Sequence, residues 1–216
     1  MNNSQRTNKK ININANLFHL TTNAILTAVI IIMSFTPIGY LKIGTVAITF
    51  ITVPVAIGAI ISGPISGAVL GGIFGLTSFI QCFGIDPFGT ALLNINLIYT
   101  LLMCFVPRIL TGLLSGLVFK FLSKADKTNL ISYVITCLSC SVMNTIFFMA
   151  SLMVLFGSSD YIKSIMDALG QTNVILFMFA LVGINALIEI IVNSLISAAI
   201  SKSLAIIIKK QKAKYN

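Results

Sequence analysis

The sequence predicts an all-α polytopic membrane protein, a bundle of six transmembrane helices with both termini in the cytoplasm. Three observations lead to this class: the composition, the length of the apolar runs and the placement of the basic residues. Of the 216 residues, 57% are hydrophobic and 9% are charged, and the mean hydropathy is +1.02. A soluble domain carries about a quarter charged residues because its surface must meet water. Most of the surface of this chain therefore faces lipid.

The apolar runs set the number of helices, because a helix needs about 20 mainly apolar residues to cross the hydrocarbon core. Pro, Gly and charged residues interrupt these runs and place the spans at 18–37, 46–62, 65–82, 97–122, 130–156 and 174–206. Residues 18–206 then form one membrane domain. A cytoplasmic tail at 1–17 precedes it, and a basic cytoplasmic tail at 207–216 follows it.

The N-terminal segment 1–16 is polar and basic and contains no acidic residue. No small-residue cleavage site follows the first apolar run, so we expect a retained helix rather than a cleaved signal peptide. Within this helix Ala24 and Ala28 lie four residues apart. They form a stripe of small residues, a pattern that permits close approach of another membrane helix.

The turn 62–65 joins the second and third spans, so we expect these two helices to be antiparallel neighbours. A ladder of glycines spaced four residues apart starts in this turn and consists of Gly63, Gly67, Gly71 and Gly75. Glycines on one face of a membrane helix let a second helix approach closely. The ladder therefore predicts a tight packing surface on the third span.

The placement of lysine and arginine gives the orientation, because cytoplasmic loops carry the excess of these residues. With the even-numbered connections inside, eleven basic residues fall on the cytoplasmic side: Arg6, Lys9, Lys10, Lys120, Lys124, Lys127, Lys202, Lys209, Lys210, Lys212 and Lys214. Two, Lys42 and Lys163, fall outside. The external connections are then 38–45, 83–96 and 157–173. Binding residues are usually found on such loops, so we expect a ligand site near the outer face.

Neither the charge nor the cysteines indicate another class of function. The net charge of +9 arises from basic clusters that flank apolar runs, so it reports membrane orientation rather than a nucleic-acid partner. Cys137 and Cys140 form a CxxC pair, but two ligands do not close a zinc site and the only histidine is His19. We therefore expect buried thiols, no metal and no cofactor.

Two ionisable residues lie inside apolar runs, Arg108 in the fourth span and Glu189 in the sixth. Exposing either to lipid costs at least about 2.5–3.5 kcal/mol, so each must face the bundle interior and find a partner. At about 1.5 Å per residue, Arg108, Asn144 and Asn185 lie roughly 15–18 Å from the outer ends of their helices. Glu189 lies about one turn deeper. Three helices thus offer polar groups at one level, which is the geometry of a small-molecule pocket.

The same residues have a second interpretation. Asn185, Glu189 and Asn193 form one polar stripe down the sixth span, and side chains of this kind often join membrane helices. Glu189 and Arg108 would then neutralise each other without a ligand. In the first interpretation Arg108, which follows the helix-bending Pro107, holds a carboxylate through paired hydrogen bonds. The sequence leaves both interpretations open.

A set of segments in the first two thirds of the chain carries a family resemblance. The segments are Ala24-Ile-Leu-Thr-Ala28, Pro37-Ile-Gly-Tyr-Leu-Lys-Ile-Gly44, the run from Ile48 to Ala59, Gly63-Pro64, Gly75-Leu-Thr-Ser78 and Pro107-Arg108-Ile-Leu-Thr-Gly112. They resemble the substrate-binding S component of an energy-coupling-factor (ECF) vitamin transporter. The pantothenate and folate-type branch is the most similar. Its pantothenate members often read His-Ile-Pro where this chain has Thr52-Val53-Pro54, which leaves the particular vitamin open.

The resemblance implies a six-helix bundle that captures a vitamin from outside for ATP-driven uptake, with a pantothenate-like carboxylate favoured over a folate-type molecule. It also implies partners: a membrane coupling subunit, which meets the face of Ala24 and Ala28, and two cytoplasmic ATPase subunits. Carried onto this sequence, the family's site is formed by Arg108, Asn144, Asn185 and Glu189, with Tyr40 and Gln81 as wall or lid groups.

Two other classes of function compete with this interpretation. A stand-alone secondary transporter or channel would use Glu189 as a proton relay, and its uptake would follow a proton gradient without an ATPase. A small membrane enzyme acting on lipid would need a nucleophile with a base, or a metal cluster, at the interface. We find no such arrangement in the sequence.

Overall fold

The structure is a computed structural model of the chain. The structure describes residues 3–37, 39–43, 46–124, 130–168, 170, 173, 176 and 189–203. The elements are α1 (Asn3–Ser34), β1 (Tyr40–Ile43), β2 (Val46–Thr49), α2 (Thr52–Ser62), α3 (Pro64–Gln81), α4 (Pro87–Ile95), α5 (Leu97–Leu122), α6 (Leu130–Phe156) and α7 (Asp160–Ala168). Residues 189–203 are also helical, and we call this segment α8.

The predicted class, a helical membrane bundle, agrees with the length and apolar character of the helices. Within the described part of the chain, four helices are long and apolar enough to cross a membrane, through the segments Leu17–Ser34, Pro64–Gln81, Leu97–Leu122 and Ile131–Phe156. In contrast, α2 has 11 residues and is therefore about 16 Å long, well short of a hydrocarbon core of about 30 Å. The count of six spans and the cytoplasmic termini remain predictions.

The bounds of the long helices follow local signals in the sequence. The fourth and fifth predicted spans coincide with α5 and α6, and α3 differs from the third span by one residue at each end. The side chain of Asn96 caps α5 by accepting a hydrogen bond from the Tyr99 N–H at 3.1 Å. By contrast, α1 starts at Asn3, fifteen residues before the predicted span, because neither Gly nor Pro interrupts residues 3–34.

The prediction of a single helix over 46–62 is wrong in its first part, and the all-α class needs a small correction. Residues 46–49 form β2, which pairs with β1 as an antiparallel hairpin in the register Tyr40↔Thr49 and Ile43↔Val46. The β-branched residues of this segment suit a pleated strand as well as an apolar helix. A hydrogen bond of 2.9 Å from Phe50 N to Gly39 O closes the base of the hairpin.

Two of the predicted external connections contain short helices. The segment 83–96 includes α4, whose N-terminus is capped by Asp86 through a bond of 2.9 Å from Gly89 N to Oδ2. The segment 157–173 includes the amphipathic α7. Both helices pack on the bundle through one apolar core made of Leu92, Met103, Met149, Leu152, Phe156 and Ile162. We call this end of the bundle, which also carries β1–β2, the hairpin end.

The packing of α3 on α5 confirms the glycine ladder at three of its four positions. A Cβ atom at Gly67 would collide with Gly112 O, one at Gly71 would collide with Arg108 O, and one at Gly75 would lie 2.7 Å from Cys104 O. Gly63 instead joins α2 to α3 with φ +92°, a left-handed conformation that favours glycine. The backbone of Arg108 is therefore fixed directly against α3.

Candidate functional site

Arg108 lies buried in the middle of α5, with 8% of its surface exposed. Its Nη1 donates a hydrogen bond of 2.7 Å to Met103 O. That carbonyl lies four residues before Pro107, which has no N–H to complete the helical ladder. The guanidinium therefore donates to Met103 O in place of the N–H that Pro107 lacks. Without it this carbonyl would be unpaired, because the hydrocarbon core holds no water. This bond fixes the position of the charge.

Two aromatic rings, one on each of two neighbouring helices, contact the guanidinium. Its central carbon lies 5.4 Å from the ring centre of Phe74 on α3 and 4.8 Å from that of Phe148 on α6. A cation over an aromatic face gains about 0.5–2 kcal/mol, with the larger values where water is excluded. Neither phenylalanine was predicted from the sequence as part of the site. The one available signal was the spacing of Phe148, four residues after Asn144 on the same helix face.

Asn144 lies on α6 one turn from the ring that contacts Arg108. Its Oδ1 is buried and has no hydrogen-bond partner among the residues that the structure describes. A buried acceptor left unpaired costs about 1–3 kcal/mol. Asn144 thus lies four residues before Phe148, the residue of α6 whose ring contacts Arg108.

Glu189 and Asn193, on α8, contact the junction between the hairpin and α2. Glu189 Oε2 accepts a hydrogen bond from Thr49 N at 3.3 Å. Asn193 Nδ2 donates to Thr49 O at 2.6 Å and to Thr52 Oγ1 at 2.9 Å. Asn185, the third member of the predicted stripe, lies outside the described residues.

The remaining predicted residues lie at three further places. The backbone of Tyr40 pairs with Thr49 at the base of the hairpin. Gln81 is buried between α3 and α1, where its Nε2 donates to Ser34 O. Ala24 and Ala28 are exposed on α1. Through Phe148, Arg108 is in contact with α6, the helix that carries Asn144, whereas Glu189 contacts the end of the hairpin and Gln81 lies on the α1 side.

The four cysteines are free and buried, as their place in apolar runs predicted. Cys137 and Cys140 belong to an apolar cluster with Tyr133 and Ala198. They stabilise the contact between α6 and α8 by packing.

The fold is that of a helical membrane protein, and comparison with known proteins gives the family. Residues 18–201 match the family model described as "ECF transporter, substrate-specific component". The chain therefore belongs to the family of substrate-specific components of ECF transporters. It is also 30% identical over 166 residues to the pantothenic acid transporter PanT of Lactococcus lactis subsp. cremoris (strain MG1363), covering 72% of this chain and 76% of that protein.

The family assignment confirms the function that the resemblance implied. The chain is a multi-pass membrane protein and the substrate-binding subunit of an ECF vitamin transporter. The family is one of transport components rather than enzymes, and its members work with a membrane coupling subunit and ATPases. A stand-alone transporter driven through Glu189 is therefore not the function that the comparisons support.

Proposed function

We propose that this subunit binds pantothenate or a closely related carboxylate, and that Arg108 receives the carboxylate group. The observation that carries the proposal is the buried guanidinium, which is fixed by Met103 O and held between the rings of Phe74 and Phe148. A relative that is 30% identical is a pantothenic acid transporter, which supports the same substrate. The planar guanidinium matches the geometry of a carboxylate. Because the position of Arg108 is already fixed, binding costs little side-chain entropy.

The rest of the proposed site follows from the chemistry of pantothenate, which carries an amide and two hydroxyl groups besides its carboxylate. The buried Oδ1 of Asn144 is suited to accept a hydrogen bond from one of them. Asn185, one turn before Glu189 in the sequence, belongs to the proposed site with it. Tyr40 and Gln81 complete the set as wall or lid groups near the hairpin end.

We propose further that the exposed face of Ala24 and Ala28 on α1 meets the membrane coupling subunit, and that two ATPase subunits drive uptake. Small exposed side chains allow a partner helix to approach closely. The excess of basic residues supports six spans with tails 1–17 and 207–216 in the cytoplasm. The hairpin end then faces outward, on the side from which the vitamin is captured.

The substrate can be tested without any variant by comparing pantothenate with panthenol, in which an alcohol replaces the carboxylate. Titration of the purified protein should give binding of pantothenate and at least tenfold weaker binding of panthenol, because losing a buried charge partner costs about 2–5 kcal/mol. Equal affinities would remove the carboxylate from contact with Arg108. If pantothenate does not bind and a different vitamin copurifies by mass spectrometry, the proposed substrate is wrong.

A further inference from the structure

Cys82 and Cys104 contact each other across the packed helices α3 and α5. Their sulfur atoms lie 3.9 Å apart, although the two residues are 22 positions apart in the chain. Both residues are buried, with 3% and 1% of their surfaces exposed, and both are free thiols. Two oxidisable groups from different helices are therefore adjacent, and neither belongs to the proposed substrate site.

The backbone around Cys104 keeps the two helices together at this place. A Cβ atom at Gly75 would lie 2.7 Å from Cys104 O, so α3 and α5 touch through their backbones two turns before Cys82. To bond, the sulfurs must move together by about 1.9 Å, the difference between 3.9 Å and a disulfide length of about 2.05 Å. Side-chain rotation and a small shift at the end of α3 can supply this movement.

The end of α3 is suited to such a shift. Cys82 is the C-terminal cap of this helix, and Gly84 follows it with φ +112°. The sulfur of Cys82 donates to Ser78 O at 3.3 Å, and a thiol is a weak donor that is easily displaced. Phe83, the next residue, is 60% exposed. The pair therefore lies directly below the surface, within reach of a small oxidant.

We propose that Cys82 and Cys104 form a redox-active pair, a modification site that hydrogen peroxide converts into a disulfide between α3 and α5. One thiol sulfur attacks a peroxide oxygen and becomes a sulfenic acid, while the O–O bond breaks and the other oxygen leaves as water with the thiol proton. The second sulfur then attacks the first. The S–S bond forms, the S–O bond breaks, and the hydroxyl leaves as water with the second thiol proton. Two thiols are oxidised, and one peroxide is reduced to two waters.

The disulfide closes the segment 83–103, which contains α4. This helix packs against the pair, because Gly89 leaves no room for a Cβ atom beside the sulfur of Cys82, and its Leu92 shares an apolar core with Met103. A cross-link at both ends of the segment reduces the entropy of its open states, so oxidation stabilises the hairpin end. In the proposed orientation this end faces outward, where disulfides persist. That last statement rests on the proposed function, whereas formation of the cross-link does not.

The test treats the purified full-length protein with hydrogen peroxide, blocks the remaining thiols after denaturation and analyses the peptides by mass spectrometry. Most chains should contain a peptide pair joined through Cys82 and Cys104, and a reductant should separate it. The double variant Cys137→Ser/Cys140→Ser is the matched control, because it removes the other two buried thiols and should form the same cross-link. Cys82→Ser should form none.

The thermal midpoint of the oxidised protein should rise by about 5–10 °C, and reduction should reverse the rise. If Cys82→Ser does not fold, the wild-type protein before and after reduction carries the test. Free thiols at both positions after treatment, or oxidation of one cysteine to a sulfinic acid without the cross-link, would overturn the redox pair. An unchanged midpoint in cross-linked protein would overturn the stabilisation of the hairpin end. A cross-link in a protein whose hairpin end is labelled only from the cytoplasm would leave the pair standing and refute the proposed orientation.

Discussion

The guanidinium of Arg108 lies 4.8 Å from the ring centre of Phe148 on the neighbouring helix α6. This contact links the position of the charge to the packing of two helices. If Phe148 orients Arg108 for the substrate, Phe148→Leu should weaken pantothenate binding by about three- to thirtyfold, the range of a cation–π interaction. Phe147→Leu is the matched control on the same helix. Equal losses of affinity in a titration of both variants would argue against a specific role for Phe148.

A second prediction concerns the hydrogen-bonding geometry of Arg108. Lysine keeps the charge but has no planar fork, so it cannot bond Met103 O and hold a carboxylate through paired hydrogen bonds at once. Arg108→Lys should therefore lower the affinity for pantothenate more than tenfold. Arg6→Lys, a substitution of the only other arginine, should leave the affinity unchanged.

The same variants separate a ligand site from a structural pair. If Arg108 and Glu189 only neutralise each other, Arg108→Ala and Glu189→Ala each destabilise the protein, and the double variant recovers thermal stability and binding. We expect instead that the double variant fails to bind pantothenate. Wild-type affinity in that variant would remove Arg108 from the site.

A third prediction concerns the contact between α3 and α5. A methyl group at Gly71 collides with the backbone of Arg108, whereas one at Gly72 lies 3.6 Å from the Ile109 side chain, an ordinary contact. Gly71→Ala should therefore destabilise the protein by about 1–3 kcal/mol and weaken binding by displacing Arg108. Gly72→Ala should be neutral or slightly stabilising, because alanine is the better helix former. Thermal unfolding of both variants checks this, and similar midpoints would contradict it.

A fourth prediction tests docking of the coupling subunit on α1. Replacing Ala24 and Ala28 with Trp should abolish copurification with the coupling subunit and uptake, because the bulky rings keep a partner helix at a distance. Pantothenate binding by the isolated subunit should persist. The single variant Ala28→Trp is also compared with Ala150→Trp, a matched control at an exposed alanine of α6. Loss of binding together with assembly would show that the alanine stripe serves internal packing.

A fifth prediction tests orientation, on the basis of the eleven-to-two distribution of basic residues. In a background without the four native cysteines, Ser159→Cys at the hairpin end should react with an impermeant thiol reagent added outside intact cells. Ser123→Cys at the C-terminal end of α5 should not react. Labelling of the second variant from outside would reverse the orientation and move the proposed site to the cytoplasmic face.

The sequence predicted α5 and α6 to the residue because polar or charged segments border their long apolar runs. It could not separate β2 from α2, since Ile48 and Thr49 are compatible with a membrane helix and with a strand, and hydropathy does not distinguish the two. The rise per residue, counted along each helix, predicted a common level for Arg108 on α5 and Asn144 on α6. The contacts of Arg108 with Phe74 and of Asn193 with Thr49 depend on how separate helices pack, and no local pattern carries that information.

The glycine contacts between α3 and α5 also restrict the mechanics of the protein. Over three successive turns the two backbones touch, with no layer of flexible side chains between them to absorb sliding or tilting. The pair should therefore move as one rigid unit, and any movement that admits a substrate must come from elements other than α3 and α5.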